Sequence, residues 1–575
     1  MLSNSDVAAK LLAIRHLLEL RGDASYRYGA YERAAATIEH GPPLADVIEK
    51  QSLRSLPGIG DSLAVTIEAL ARTGTAPVLD ELVSVFPESI LGLLELDGMG
   101  AKTVKRLYHE YGISSLAQLD TALRDGRLVG VPRIGEKTLQ IWRRGLLRAR
   151  RKKTMLGLAL DVATDAMKYL QSSGILLEHL VYAGSLRRAE PLVGDIDLIC
   201  TTEHAEAVMA HFTAWKRASD IVADGPTKAS VWLEDGLQID LRVLPDDRFG
   251  NLLQHFTGSR EHNILLREYA LRRGVSISEN GCTELATGVS HRFRSEEELY
   301  AFLGLSYIPP ELRVGGDEIE RALAGTIPAL LEINDLLGDF HMHSTWSDGD
   351  DSLESMIRAC AARGYKYHAI SDHSPGRGSS YGVTATQLRE RNAHIRALGQ
   401  RYGITTLCAS EVDILADGTL DYDDATLAEL DFVIASVHNA FSQSSEEMTA
   451  RLIRACENPY VNVIGHPTGR MLDGFPGYVF DYDAVFSAAA RTGTALEIDG
   501  QVQRLDLPSN LARRAQELGC ILTTDSDAHR TSDLSAIELA VSQARRAGLR
   551  REDVLNTRSL DEVRSFVAQK RRLTR

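Results

Sequence analysis

Apolar residues recur with two different periods along the 575-residue chain, and the change of period divides it. The first 150 residues carry helical patterns. The opening apolar stretch is interrupted by Arg15, His16 and Glu19, which predicts an amphipathic helix and not a signal peptide. Three short turns then recur, each followed by a helical pattern: Leu-Pro-Gly-Ile-Gly-Asp (56–61), Leu-Asp-Gly-Met-Gly-Ala (96–101) and Val-Pro-Arg-Ile-Gly-Glu (131–136). Near residue 180 the period falls to two. Asp195-Ile196-Asp197-Leu198 predicts a strand with both carboxylates on one face and apolar side chains on the other. Residues 229–244 alternate around Glu-Asp-Gly and predict a hairpin with Asp240 in its second strand. Residues 309–335 read as a linker followed by a short helix. Beyond them, seven short apolar strands alternate with helical patterns, as in a barrel or a doubly wound sheet.

The stretch from Gly184 to Asp197 carries the first chemistry. A Gly-Ser turn opens a helix bearing Arg187 and Arg188, and Gly194 leads into the two aspartates. Like charges held that close repel unless hard cations sit between them, and Mg²⁺ bound by carboxylates and phosphates is the expected occupant. The turn offers backbone N–H groups at a helix start, which suits a triphosphate, and guanidinium groups grip phosphate oxygens. Asp240 supplies the third carboxylate of a two-metal site, since facing a core there would be costly.

With these residues in place, the segment from about 180 to 300 resembles the palm and thumb of a family X DNA polymerase, the group that includes DNA polymerase beta. The resemblance implies Asp195, Asp197 and Asp240 as catalytic ligands of Mg²⁺ or Mn²⁺. It implies Gly184, Ser185, Arg188 and Gly194 as contacts to the incoming dNTP. His-Phe-Thr-Gly-Ser (255–259) resembles the family's sugar-sensing turn, with the backbone from Phe256 to Gly258 crowding a ribose 2′-hydroxyl. Asn263 and Arg267 match positions facing the nascent base pair and template. His255 departs from the Tyr of DNA polymerase beta. The three N-terminal turns resemble helix-hairpin-helix motifs, in which Gly58, Gly60, Gly98, Gly100 and Gly135 would present N–H groups to DNA phosphates without reading sequence. In the third, Arg133 replaces the first glycine. The lysine that performs 5′-deoxyribose phosphate lyase chemistry in the beta enzyme corresponds to Ser62 and Thr66, neither an amine, so that lyase is not expected.

Composition modifies this picture modestly. The length suggests three or more domains, and a formal net charge of -15 excludes a generally basic nucleic-acid coat. Binding must rest on local patches, the clearest being Arg143, Arg144, Arg148, Arg150, Arg151, Lys152 and Lys153. Six scattered cysteines without a Cys-x-x-Cys pair suggest a reducing cytoplasm. No segment approaches the roughly 20 apolar residues of a membrane span.

In the last 240 residues or so, histidines and carboxylates fall at predicted strand ends: His341 and His343, His373, Glu411, His438, His466, and Asp527 with His529. With Asp348 they form a set that is hard to explain without metal, and mixed imidazole and carboxylate suits Zn, Mn or Fe. The segment resembles the polymerase and histidinol phosphatase (PHP) domain, a distorted seven-stranded barrel with three metal ions. The resemblance implies these nine residues as ligands of up to three Mn²⁺, Zn²⁺ or Fe ions, with Asp421 a weaker candidate.

The expected architecture is multidomain. A helical DNA-end-binding region (1–82) and a fingers-like helical region (83–153) hold the helix-hairpin-helix motifs. An α/β nucleotidyltransferase palm (154–245), a thumb (246–316) and a linker (317–335) precede a distorted (β/α)7 PHP barrel (336–575). In bacterial family X enzymes this domain pair implies a gap-filling DNA polymerase with a metal-dependent 3′-to-5′ exonuclease. Gapped or nicked duplex DNA and dNTPs are the expected partners, without a membrane, and a cytoplasmic monomer is expected. Two alternatives remain at this stage: a phosphatase of small phosphate esters with a vestigial polymerase module, and a non-enzymatic DNA-end scaffold.

Overall fold

The computed structural model describes residues 4–39, 44–50, 52–94, 96, 98–149, 153–377 and 382–573. The chain forms two compact units, Met1–Arg151 and Lys152–Arg575. Arg150, Arg151 and Lys152 of the basic run, and the side chains of Arg144 and Arg148, lie outside the described residues.

The described residues of the first unit form no strand, and one apolar cluster extends from Val7 to Leu146. The opening helix, Asn4–Arg21, has more than one buried side, with Leu11, Ile14, Leu17 and Leu18 all removed from solvent. It is central to the unit, packing against helices Ser25–Glu39, Asp61–Thr73, Pro77–Val85 and Ala101–Tyr111. The three predicted turns share one backbone geometry. Gly58 and Gly98 have φ of 78° and 75°, and Arg133 takes the same left-handed conformation at 65°. In each turn the next residue (Ile59, Met99, Ile134) is buried, and its N–H bonds back to the residue three before it. Gly60 and Gly100 then cap helices Asp61–Thr73 and Ala101–Tyr111 without a side-chain hydrogen bond.

In the second unit, a five-stranded sheet has the order His179–Tyr182, Asp195–Thr201, Gln238–Leu244, Lys228–Leu233, Ala218–Asp224. Only Asp195–Thr201 and Gln238–Leu244 pair in parallel, so both enter the sheet with their N-terminal ends together. The predicted hairpin is present, pairing Ser230 with Asp240.

The thumb follows, with helices Phe249–Thr257 and Arg260–Arg272 and a small antiparallel sheet. Residues 317–335, expected as a linker, begin with a helix, Glu318–Ala324, that belongs to this packing: Ile319 and Ala322 join the thumb core, and Glu318 accepts at 2.9 Å from His262. An ion-pair knot holds the region together. Glu296, 2% exposed, meets Arg313 at 2.5 Å and Arg187 at 2.7 Å. Burial opposes its ionisation, yet Arg313 and Arg187 hold the carboxyl down to about 2.

Among the described residues, the C-terminal part has six parallel strands in sequence order: Tyr367–Ile370, Thr405–Asp413, Phe432–Ser436, Val463–Ile464, Ala495–Asp499 and Leu522–Asp525. Sequence predicts seven. The remaining segment, around 339–343, is too irregular for a strand, because it exchanges single hydrogen bonds with both edges. Ala369 N–H donates to Asp339 O, Ser371 N–H to Met342 O, and His343 N–H to Ala528 O. These bonds close a distorted barrel.

The Glu296 knot yields a stability prediction. Glu296→Gln removes the only charge opposing buried Arg313 in this pair and costs about 3–5 kcal/mol in urea unfolding near neutral pH. The carboxylate is depressed from 4.5, so its contribution is present above pH about 4.5 and fades as pH falls toward 2. The difference between wild type and variant therefore shrinks on acidification.

Candidate active sites

In the five-stranded sheet, Asp197 and Asp240 are direct partners across the parallel pair, and Asp195 lies two residues before Asp197 on the same face. Ile196 and Leu198, on the opposite face, are fully buried. Three carboxylates therefore converge. Burial, then Asp195 and Asp240, push the Asp197 carboxyl up to about 7. Lys228 lies 3.5 Å from Asp240, and Gln238 donates to the other oxygen of Asp240 at 2.5 Å. Gly184 has φ of 62°, and a Cβ there would overlap the Asp197 carboxylate, so only glycine lets the turn approach the aspartate this closely.

The predicted helix of the Gly-Ser turn is a single turn, Gly184–Arg187. Arg187 does not serve as a phosphate grip, because its guanidinium is committed to Glu296 and to Thr257 Oγ1 at 2.7 Å. Arg188 is the other case. It donates to Thr257 O at 2.5 Å, burial pulls its pKa below the ordinary arginine value, and its Nε is buried without a hydrogen-bond partner. That bond ties the turn at Ser185 to Phe256–Gly258, and Arg242, unremarked in the sequence, lies 4.0 Å over the Phe256 ring. Gly194 has open space around it. Asn263 donates to His255 O and accepts from Gln254, both at 2.8 Å, while Arg267, one turn along the same helix, is exposed.

The second constellation sits at the C-terminal ends of the barrel strands, where strand–helix barrels place their chemistry. Glu411, 1% exposed, is its centre. One oxygen lies 3.3 Å from His341, 3.5 Å from His343 and 2.9 Å from His373, and the other lies 3.1 Å from His438 and 2.9 Å from His466. Asp527 adds contacts to His343 at 3.1 Å and His341 at 3.5 Å. Asp348 reaches His373 at 3.3 Å and His529 at 3.6 Å. All nine predicted residues are thus in one cluster. His466 and Asp527 take left-handed backbone at φ of 27° and 48°, strain that typically concentrates at functional positions.

The donor set fits metal. His341 Nε2, both ring nitrogens of His343 and Asp527 Oδ1 are buried without a hydrogen-bond partner. Four overlapping groups bring donor atoms within 4.8 Å of one another: His343, Asp348, His373 and His529; His341, His343 and Asp527; His373, Asp413 and His438; and Glu411, His438 and His466. Sequence reading missed Asp413 and Glu497. Asp413 is two residues beyond Glu411, hence on the same strand face, and lies 2.8 Å from His438 Nδ1. That spacing was a usable signal. Glu497 lies 2.6 Å from His341 Nδ1, orienting the ring as carboxylates behind metal-bound histidines do, and nothing in its local sequence marks it. Asp421 is not in the cluster: its carboxylate accepts from Gly376 N–H at 2.6 Å.

Four family profiles match the chain: a helix-hairpin-helix domain at residues 3–76, a SAM-like helix-hairpin-helix tandem at 90–146, the DNA polymerase beta thumb at 252–314, and the PHP domain at 339–489. A Bacillus subtilis (strain 168) protein named DNA polymerase/3′-5′ exonuclease PolX is 36% identical over 567 residues, spanning 98% of this chain and 99% of that one. The chain belongs to the PolX family. Probable phosphatases align over about two fifths of the chain. One from Thermoanaerobacter sp. (strain X514) is 30% identical over 250 residues, covering 41% of the PolX chain and 96% of its own. One from Syntrophotalea carbinolica is 28% identical over 243 residues, covering 40% and 95%.

The barrel of this PolX chain is thus a divalent-metal site by donor chemistry, and its protonation makes metal uptake pH-dependent. Burial opposes a proton on His373, but Glu411 and Asp348 raise it to about 10; for His529, Asp348 and Asp527 raise it to about 9. An incoming cation must displace these protons. Metal affinity therefore rises as pH climbs from 6 toward 9. Calorimetric titration of chelator-treated protein with Mn²⁺, in buffers of different ionisation enthalpy, should report net proton release. A pH-independent affinity with no release would refute the assignment.

Proposed function

We propose that this chain is a DNA-directed DNA polymerase that fills short gaps, paired with a metal-dependent 3′-to-5′ exonuclease in its barrel. One observation carries the reading: the Asp195–Asp197–Asp240 cluster and the Glu411-centred cluster occur in one chain with the domain order of the Bacillus subtilis relative. On this reading the chain divides as 1–82, 83–153, 154–245, 246–316, 317–335 and 336–575.

Asp195, Asp197 and Asp240 would hold Mg²⁺ or Mn²⁺, which would supply positive charge beside the attacking oxygen and the pyrophosphate. The chain's own contribution is placement. Gly184, Ser185 and Gly194 leave open backbone around the triphosphate, and Arg188 offers its unpartnered Nε beside it. Phe256 and Gly258, fixed by Arg242 and Arg188, shape the space beside the sugar. Asn263 and Arg267 face the base pair and template. In the barrel, His341, His343, Asp348, His373, Glu411, His438, His466, Asp527 and His529 hold up to three Mn²⁺, Zn²⁺ or Fe ions, joined by Asp413, with Glu497 orienting His341. Bound there, such ions would supply Lewis-acid activation of water and charge stabilisation of the leaving group. Gly58, Gly60, Gly98, Gly100 and Gly135 offer N–H groups to the phosphates of gapped or nicked duplex. Thr66 donates to Ser62 O at 3.0 Å, and neither supplies the amine for a beta-type lyase. The enzyme acts as a cytoplasmic monomer on this reading. No helix among the described residues is long and apolar enough to cross a membrane.

The likeness to probable phosphatases supports a second reading, hydrolysis of small phosphate esters. The test uses one-nucleotide-gapped DNA with dNTPs and Mn²⁺. Asp240→Ala should lower extension by about a hundredfold or more while leaving 3′ degradation intact, and His341→Ala should do the reverse. Loss of both activities in either variant would overturn independent sites. A wild type inert on DNA but active on a phosphomonoester would favour the phosphatase.

A further inference from the structure

The opposite end of the barrel holds a cavity of about 640 Å³ that neither candidate site uses. It opens beside Thr405 and Leu407, at the N-terminal end of strand Thr405–Asp413, and is closed on the other side by the last helix, Leu560–Leu573. Glu411 lies six residues further along that strand, roughly 20 Å away at a strand's rise per residue. The cavity is distinct from the metal cluster.

Four of its lining residues are arginines, Arg396, Arg564, Arg571 and Arg572, against a single acid, Asp431. Asp431 is already occupied, accepting from Cys408 N–H at 2.9 Å. Among the described residues no carboxylate lies within ion-pair distance of Arg396 or Arg572. Arg564 has only a loose, exposed pairing with Asp561 at 3.6 Å. Arg571 is fixed by donating to Leu430 O at 3.0 Å and stacking near Tyr460, yet its Nε is buried without a hydrogen-bond partner. In a chain of net charge -15, such an excess of guanidinium groups around one concavity is not a sample of the average surface. Like charges held together cost free energy unless an anion joins them. Planar guanidinium groups select phosphate in particular.

The rest of the wall is mixed, with Thr405 and Thr406 beside an aliphatic side formed by Leu407, Leu430, Val563, Val567 and Ala568. A flat ring can lie against that wall while a phosphate chain reaches the arginines. We propose that this cavity binds a nucleotide, with the base on the aliphatic wall and the phosphates held by Arg564, Arg571 and Arg572. The volume lies in the range of small-molecule sites, and its concavity suits a compact ligand better than the convex backbone of a duplex.

The test is calorimetric titration of the full-length chain with ATP and, separately, with inorganic tripolyphosphate, under excess chelator so that metal-dependent phosphate binding elsewhere is suppressed. ATP should bind at one site, and tripolyphosphate more weakly for want of the ring. Arg564→Ala combined with Arg572→Ala, both exposed positions, should weaken ATP by about tenfold or more with an unchanged melting temperature. Arg396→Ala, on a different helix, gives an independent second variant and should also weaken ATP. Absence of saturable ATP binding, unchanged affinity in both variants, or tripolyphosphate binding as tightly as ATP would overturn the proposal. So would displacement of ATP by short oligothymidylate at lower concentration, which would make the cavity a DNA contact.

Discussion

Carboxylates gathered out of water, with their compensation left incomplete, are the constraint on which both candidate sites depend. The thumb shows what complete compensation looks like. Glu296 is buried, but two arginines hold it, and its pKa falls to about 2. Asp197 is the reverse case. Its nearest charged neighbours are two more aspartates, and its pKa rises to about 7. In these two cases the sign of the shift follows the neighbours, arginines for Glu296 and other carboxylates for Asp197. Strand pairing is what forces the second situation, because the parallel register sets Asp240 directly against Asp197. The barrel differs in sign, because its histidines hold the buried Glu411 carboxyl well below the usual carboxylate range. Five histidines converge on two oxygens of Glu411, and several of their nitrogens find no hydrogen-bond partner.

The fold was largely legible, since period-two alternation at 195–198 and 229–244 predicts the strands that form, and the glycine turns mark the hairpins. The misreadings share a cause: local pattern does not carry information about long-range partners. Arg187 and Arg188 are adjacent and look equivalent, yet Glu296, over a hundred residues away, takes Arg187 and leaves Arg188 toward the turn at 256–258. Glu497 is invisible for the same reason, being set against His341 only by barrel closure. Arg133 is instructive in the other direction. It lacks the glycine that a left-handed turn favours, and still adopts φ of 65° because Ile134 must be buried and Gly135 must precede the helix. Surrounding packing supplies the roughly 1–2 kcal/mol that a side chain costs in that conformation.

Palm and barrel are physically joined at the nucleotide-binding turn. Gln543 donates to Ala189 O at 3.0 Å, and Arg546, on the same barrel helix, donates to Arg188 O and pairs with Glu190 at 3.0 Å. Leu539 of that helix and Leu505 are part of the palm's own apolar cluster. The residue proposed to meet the triphosphate therefore has its backbone fixed by the barrel, and the barrel acts as a scaffold for the palm whatever chemistry it performs. Substitutions along Ile537–Ala547 bear on both.

The same junction limits how the two sites can communicate. A cleft of about 940 Å³ runs between them, with Tyr182 and Arg187 on the palm side and Asp348 and His529 on the barrel side. Six carboxylates line it against two arginines. A single strand threading it would meet more carboxylates than arginines, although Glu311 is paired with Arg545, and Asp350 and Asp533 lie against Arg530. The excess of acids makes this cleft a poor path for a bare phosphate backbone.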